Sequence, residues 1–180
     1  MIKAIETRYN GYRFRSRLEA RWAVFFDTLG VAYEYEKEGY DLGDAGWYLP
    51  DFWLPQIKLW VEIKPDEPGP RAINKAIALV QQSRQWASIY YGQFGQGTRL
   101  KLFYLTDPSV PHDQFPEVIW VECDGCGGLS VVALPYSTDE FCRPNCGSNC
   151  GGRLRADGPR ILDAYIAARS ARFEHGEHGR

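Results

Sequence analysis

Hydrophobic and polar positions change period several times along the chain. Leu18, Trp22, Phe25, Phe26 and Leu29 recur at helical spacing, and Ser16-Arg17-Leu18-Glu19 ahead of them has the form of a capping box. This predicts a helix over 16–29 that stops at Gly30. Val31, Tyr33 and Tyr35 then alternate with smaller or charged residues, as in a strand over 31–36. A turn-rich stretch from Gly39 to Gly46 leads to a second predicted strand near 47–54. A third runs over 58–64, after the break at Pro55-Gln56-Ile57, and stops at Pro65. Leu59, Val61 and Ile63 mark its core face.

Past a polar loop at 66–70, Ile73, Ile77 and Val80 predict a helix over 71–87. Short β-rich runs at 88–91 and 100–105 read as strands around a Gly/Gln loop, and 118–121 as another. Asp157-Gly158-Pro159 opens a last helix, carrying Ile161, Leu162, Tyr165 and Ile166, that ends near Phe173 before a frayed tail. Helix, strands, helix, strands is a mixed α/β order with a sheet that is at least partly antiparallel.

The 180 residues suit one mid-sized domain, or a domain of about 120 residues with a small module. An apolar share of 44% is enough for a packed core. No run approaches the ~20 apolar residues of a membrane span, and the N-terminus lacks the apolar run of a secretion signal. The expectation is a soluble cytoplasmic protein with no membrane partner. Net charge is −2, so any nucleic-acid contact must use local patches. Arg13, Arg15, Arg17 and Arg21 form one near the N-terminus, and Arg153 to Arg180 punctuate the other end. A solvated surface explains each patch equally well.

The hairpin carries candidate chemistry. If its turn centres between Gln56 and Ile57, Asp51 faces Glu62 across the strands, with Cβ atoms about 4.5–5.5 Å apart. Lys64 shares the Glu62 face, two residues on. Adjacent carboxylates repel unless a cation lies between them, and hard oxygens suit Mg²⁺ or Mn²⁺. Glu19 lies about 20° from Phe26 on the helical wheel, at the border of the sheet-facing stripe, and is a further candidate ligand. Its other reading is the acid of the capping box. For Asp51, Glu62 and Lys64 the other reading is a surface salt-bridge ladder.

Phe14-Arg-Ser-Arg-Leu-Glu-Ala-Arg-Trp22, Tyr48-Leu-Pro-Asp-Phe-Trp53 and Val61-Glu-Ile-Lys64 together resemble the PD-(D/E)xK nuclease superfamily. Pro50-Asp51 matches its "PD", Glu62-Ile63-Lys64 its "ExK", and Glu19 the acid on its first helix. The resemblance spans residues 10–106 and is in the style of small phage and bacterial members. It implies a restriction-endonuclease-like mixed sheet flanked by helices. It also implies Mg²⁺-dependent (or Mn²⁺-dependent) phosphodiester hydrolysis in DNA, with RNA left open, in DNA processing or defence. The catalytic set would be Glu19, Asp51, Glu62 and Lys64, with the three acids on the metal. Some members carry a further glutamine on the next helix, which Gln81 or Gln82 could match. A homodimer is one arrangement that supplies two active sites for duplex cutting. The alternatives are a nuclease-fold module without turnover that binds nucleic acid or a protein, and an assembly or anti-defence factor acting through protein contacts.

All five cysteines lie between 123 and 150. Cys123-Asp-Gly-Cys126-Gly and Cys142-Arg-Pro-Asn-Cys146-Gly resemble the two knuckles of a zinc ribbon, joined by a hairpin from Leu129 to Leu134 that turns through Pro135. Tetrahedral Zn²⁺ takes four thiolates. Cys123, Cys126, Cys142 and Cys146 are the favoured set, with Cys150 as the alternative to either of the last two. This divides the chain into a nuclease-like core at 1–117, a zinc-ribbon-like module at 118–156, and a C-terminal helix and tail at 157–180.

Overall fold

Ser16 starts the first helix, α1 (Arg17–Leu29). Its hydroxyl accepts the Glu19 N–H (3.1 Å) and donates to Glu19 Oε1 (2.6 Å), so acid and cap hold each other. Gly30, at φ 78°, takes the left-handed turn that ends the helix. The computed structural model describes residues 4–95, 98–104, 115–134 and 150–173. Within them the fold is mixed α/β, with a large mixed sheet and three α-helices.

A hairpin precedes α1: β1 (Thr7–Tyr9) and β2 (Tyr12–Phe14) turn through Asn10-Gly11, both with positive φ. That dipeptide is the sequence signal for such a turn, and apolar periodicity passes over it. The main sheet contains β3 (Glu34–Tyr35), β6 (Phe52–Leu54), β7 (Leu59–Lys64), β8 (Trp86–Tyr91), β9 (Arg99–Phe103), β10 (Glu117–Cys123), β11 (Leu129–Ala133) and β12 (Leu154–Arg155). Its order is β11-β10-β9-β8-β7-β6-β3, with β12 also on β10. Only β7 and β8 run parallel among these pairs, joined by α2 (Pro70–Ser83) as the crossover. A separate small hairpin, β4 (Tyr40–Asp41) and β5 (Trp47–Tyr48), stands beside the sheet.

The sheet divides two apolar layers. On one side, α1 and α3 (Pro159–Ser170) cover Phe52, Leu54, Val61, Ile63, Tyr90 and Trp120. On the other, α2 covers Trp60, Ile89, Tyr91 and Phe103. Alternation along β7 sends Leu59, Val61 and Ile63 to the first layer, and Trp60, Glu62 and Lys64 to the α2 side.

The predicted elements differ from the observed ones in ways that have local causes. The expected strand at 47–54 is two strands, because Pro50 has no N–H to give a ladder, and Leu49 to Asp51 cross from one sheet to another. The strand expected over 31–36 pairs only at Glu34–Tyr35. The helix expected to reach residue 87 stops at Arg84, which is left-handed (φ 58°), and Trp86 already belongs to β8. α3 ends at Ser170 rather than near Phe173.

The boundary expected at 117/118 falls inside β10. Glu117 and Val118 pair with β9, Glu122 and Cys123 pair with β12 on the same edge, and β11 lies along the other edge. The strands of the cysteine segment thus continue the main sheet. The hairpin there is β10–β11 around the first knuckle; the expected turn at Pro135 lies outside the described residues. No helix among the described residues is long and apolar enough to cross a membrane.

Candidate acidic site and cysteine cluster

The β6–β7 hairpin has the register that puts Asp51 opposite Glu62: Phe52 pairs Val61, Trp53 pairs Trp60 and Leu54 pairs Leu59. The ladder stops at Phe52, and Asp51 turns inward just before it. Asp51 Oδ2 accepts the Ile63 N–H (2.7 Å), and Oδ1 accepts Arg15 Nη2 (3.1 Å). Arg15 also pairs with Glu36 (2.6 Å). Asp51 is 4% exposed and Glu62 8%. Burial first, then the charges of Glu62 and Glu19, push the Asp51 carboxyl well above the usual carboxylate range, against the opposing pull of the Ile63 N–H and Arg15.

Lys64 Nζ pairs with Glu62 Oε1. Glu62 Oε2 is buried and, among the described residues, finds no hydrogen-bond partner of acceptable geometry, although the Tyr48 hydroxyl stands nearby. Burial, followed by Glu62 and Asp51, holds that phenol well above its ordinary value, so Tyr48 stays protonated.

Glu19 is held from its own end of the fold. Oε2 accepts the Tyr35 hydroxyl (2.6 Å) and the Arg15 N–H (3.0 Å), and Oε1 accepts Ser16. The capping role is therefore realised. Glu19, Asp51 and Glu62 do not converge as tightly as the cysteines do: among the described residues only the cysteine trio gathers three ligand atoms within 4.8 Å of one another.

These side chains line an open cleft of about 790 Å³. Its other walls carry Trp47 and Tyr48 from β5 and Arg71 and Lys75 from the first turns of α2. Sequence reasoning missed Arg71 and Lys75, because only the β7–α2–β8 crossover brings them over the hairpin. Gln81 and Gln82 are exposed near the far end of α2 and do not line the cleft.

The four N-terminal arginines separate. Arg13 pairs with Glu6, and Arg15 serves the acidic site. Arg21 Nη1 donates to the carbonyls of Ala168 (2.6 Å) and Arg169 (2.8 Å), binding α1 to the C-terminal end of α3. Arg17 and Arg21 line a shallow pocket with Arg169 and Arg172.

At the sheet's other end, Cys123, Cys126 and Cys150 form a cluster able to hold a metal such as zinc. Cys123 Sγ lies 3.5 Å from Cys150 Sγ. The knuckle closes through Gly127 N–H to Cys123 O (2.8 Å) and Cys123 N–H to Gly128 O (2.9 Å). Asp124 and Arg153 tie it to the Cys150 segment through two further bonds (3.0 and 2.7 Å). Gly152 packs so closely that an added Cβ would lie 2.5 Å from Cys123 Sγ and from Gly125 N. Burial would raise the Cys123 thiol, but the N–H groups of Cys126 and Gly125 and the neighbouring thiols outweigh it and bring it down to about 7. Among the described residues Cys150, the alternative ligand, joins the first knuckle; Cys142 and Cys146 lie outside them.

No family model, curated protein or solved structure matches this chain.

Proposed function

We propose that this chain is a Mg²⁺- or Mn²⁺-dependent nuclease of the PD-(D/E)xK type that hydrolyses phosphodiester bonds in DNA, with RNA as the other possible polymer. One observation carries the reading. Two buried carboxylates, Asp51 and Glu62, line a cleft that also carries cations, and among the described residues Glu62 Oε2 has no hydrogen bond of good geometry. A buried carboxylate oxygen left unpaired is costly, and a hard divalent cation is what such an oxygen pair suits.

Asp51 and Glu62 would hold the ion, and Glu19 would support it from the start of α1. When bound, the ion polarises the phosphate and makes water more acidic. Lys64 stands beside Glu62, where its ammonium would orient the attacking water and offset charge building on the phosphate oxygens. Arg15, Arg71 and Lys75 would grip flanking phosphates. Zn²⁺ on Cys123, Cys126 and Cys150, with a fourth thiolate from Cys142 or Cys146, would be structural. A role in phage or bacterial DNA processing or defence and a homodimeric assembly belong to the same proposal.

The ion pairs Arg15–Asp51 and Lys64–Glu62 favour a second reading. Each sets an opposite charge beside one acid without a metal, as a nuclease fold that only binds nucleic acid or a protein would require. Incubation of plasmid and linear DNA with Mg²⁺ or Mn²⁺ separates the two. The nuclease reading expects cleavage that Asp51→Asn and Lys64→Ala each abolish. Full activity in both variants refutes it, and metal-independent binding without cleavage supports the second reading.

A further inference from the structure

Trp47 stands out at the cleft rim. It is 64% exposed, the most exposed of the large hydrophobic side chains in the described residues, yet it is held in place. Strand alternation sends its neighbour Tyr48 inward beside Glu62, so Trp47 must face out. Its six-membered ring lies against Gly39: an added Cβ there would come 2.1 Å from Trp47 Cζ2 and 2.8 Å from Cε2. Gly39 is not in the left-handed region, so the glycine provides space for the ring rather than a special backbone shape. Lys75 Nζ donates to the Trp47 carbonyl (2.7 Å), fixing β5 to α2. The indole has no aromatic partner among the described residues, whereas Trp22 packs on Phe25 and Tyr90, and Trp53 on Trp60.

Arg15, Lys64, Arg71 and Lys75 line the same cleft. A fixed, exposed aromatic beside a file of cations has the two parts of a single-strand binding groove: charge follows the phosphates and the ring stacks on bases. A duplex buries its base faces within the stack and has none to offer Trp47.

The geometry points to Trp47 as a base-stacking residue, so that the strand entering the cleft is unpaired: a single strand, a flap or a frayed end. This rests on the nuclease reading for what happens to the strand, but not for its binding.

The full-length protein is titrated into fluorescein-labelled oligothymidine and, separately, a blunt duplex, at fixed salt and with Ca²⁺ replacing Mg²⁺ to suppress turnover. Wild type should prefer the single strand. Trp47→Ala should weaken strand binding roughly 5- to 160-fold, the range of one base–aromatic stack, while changing duplex binding less than twofold. Trp47→Phe should recover most of the loss. Gly39→Ala, which displaces the ring and keeps all four cations, should weaken strand binding in the same direction. Melting curves that match wild type exclude unfolding as the cause. Unchanged strand affinity in Trp47→Ala overturns the inference, even if cleavage still depends on Asp51. Conversely, strand binding that needs Trp47, with no cleavage of any DNA or RNA, upholds the inference and rejects the hydrolytic reading.

Discussion

Replacing Asp51 by Asn should make the protein more stable without Mg²⁺ and less stable with it. Asn is nearly isosteric, and its carbonyl oxygen can still accept the Ile63 N–H that Asp51 accepts at 2.7 Å. What disappears is a buried charge facing Glu62 and Glu19. The Arg15 contact is lost too, but Arg15 is half exposed and keeps Glu36, so that loss is worth about 0–1 kcal/mol. Stabilising single changes commonly yield about 0.5–2 kcal/mol. At about 2–4 °C per kcal/mol for a chain of this size, Tm should rise by about 1–8 °C. The sign depends on pH. Asp51 titrates higher in the fold than in the unfolded chain, so the folded state holds its proton more tightly. Wild-type stability therefore falls as pH rises from the unfolded value through the folded one, and the advantage of Asn should vanish in acid.

A bound cation reverses the order. At a free concentration of about 100 times Kd it stabilises wild type by about 2.7 kcal/mol, or about 5–11 °C, and the variant by almost nothing. Thermal melts of both proteins with and without Mg²⁺ or Mn²⁺ read the crossing. Dialysis is preferable to a chelator, which would also strip metal from the cysteines. A variant less stable than wild type in metal-free buffer refutes the like-charge argument. A wild-type Tm indifferent to both ions refutes the cation site.

Gly152→Ala should empty the cysteine cluster, because its Cβ would press on Cys123 Sγ and on backbone that cannot yield; zinc content by elemental analysis should fall well below that of wild type, and full occupancy refutes the packing. Cys150→Ser should lower zinc content as much as Cys126→Ser does, and zinc unaffected by it would return the ligand set to Cys123, Cys126, Cys142 and Cys146. In zinc-free protein, Cys123 titrates at about 7, below a free thiol, so its contribution to stability should be present above the usual thiol value and lost as pH falls through about 7; Cys123→Ser should flatten that part of the stability–pH curve. Phe26→Ala should cost about 3–5 kcal/mol in urea unfolding, since the ring is fully buried between α1 and the sheet against Phe52 and Trp22, and a loss under about 1 kcal/mol would contradict that packing.

What the sequence by itself determined lies within short reach along the chain. The limits of α1 follow from Ser16 and Gly30, whose bonds close inside a single turn. The β6–β7 register follows from Pro55-Gln56-Ile57, and with it the meeting of Asp51, Glu62 and Lys64, because a short turn leaves few alternative pairings. The helix of α2 was legible too, but not its end, since nothing local announces the left-handed Arg84 or gives Trp86 to a strand in the middle of the sheet.

Tertiary structure decided what depends on distant partners. The capping pattern alone allows Glu19 to face a metal, but Tyr35 arrives from β3 and shares its Oε2 with the neighbouring Arg15 N–H. Arg21 reads as one of a basic run, yet it is spent on carbonyls of α3. Spacing joins Cys123 to Cys126 in one knuckle, but only the pairing of β12 with β10 leads Cys150 to Cys123. Arg71, Lys75 and Trp47 enter the cleft only because a parallel crossover and a separate hairpin converge beside the C-terminal end of β7. Periodicity reports which face of an element is buried; which groups meet there depends on contacts between residues far apart in the chain, and those carry no local signature.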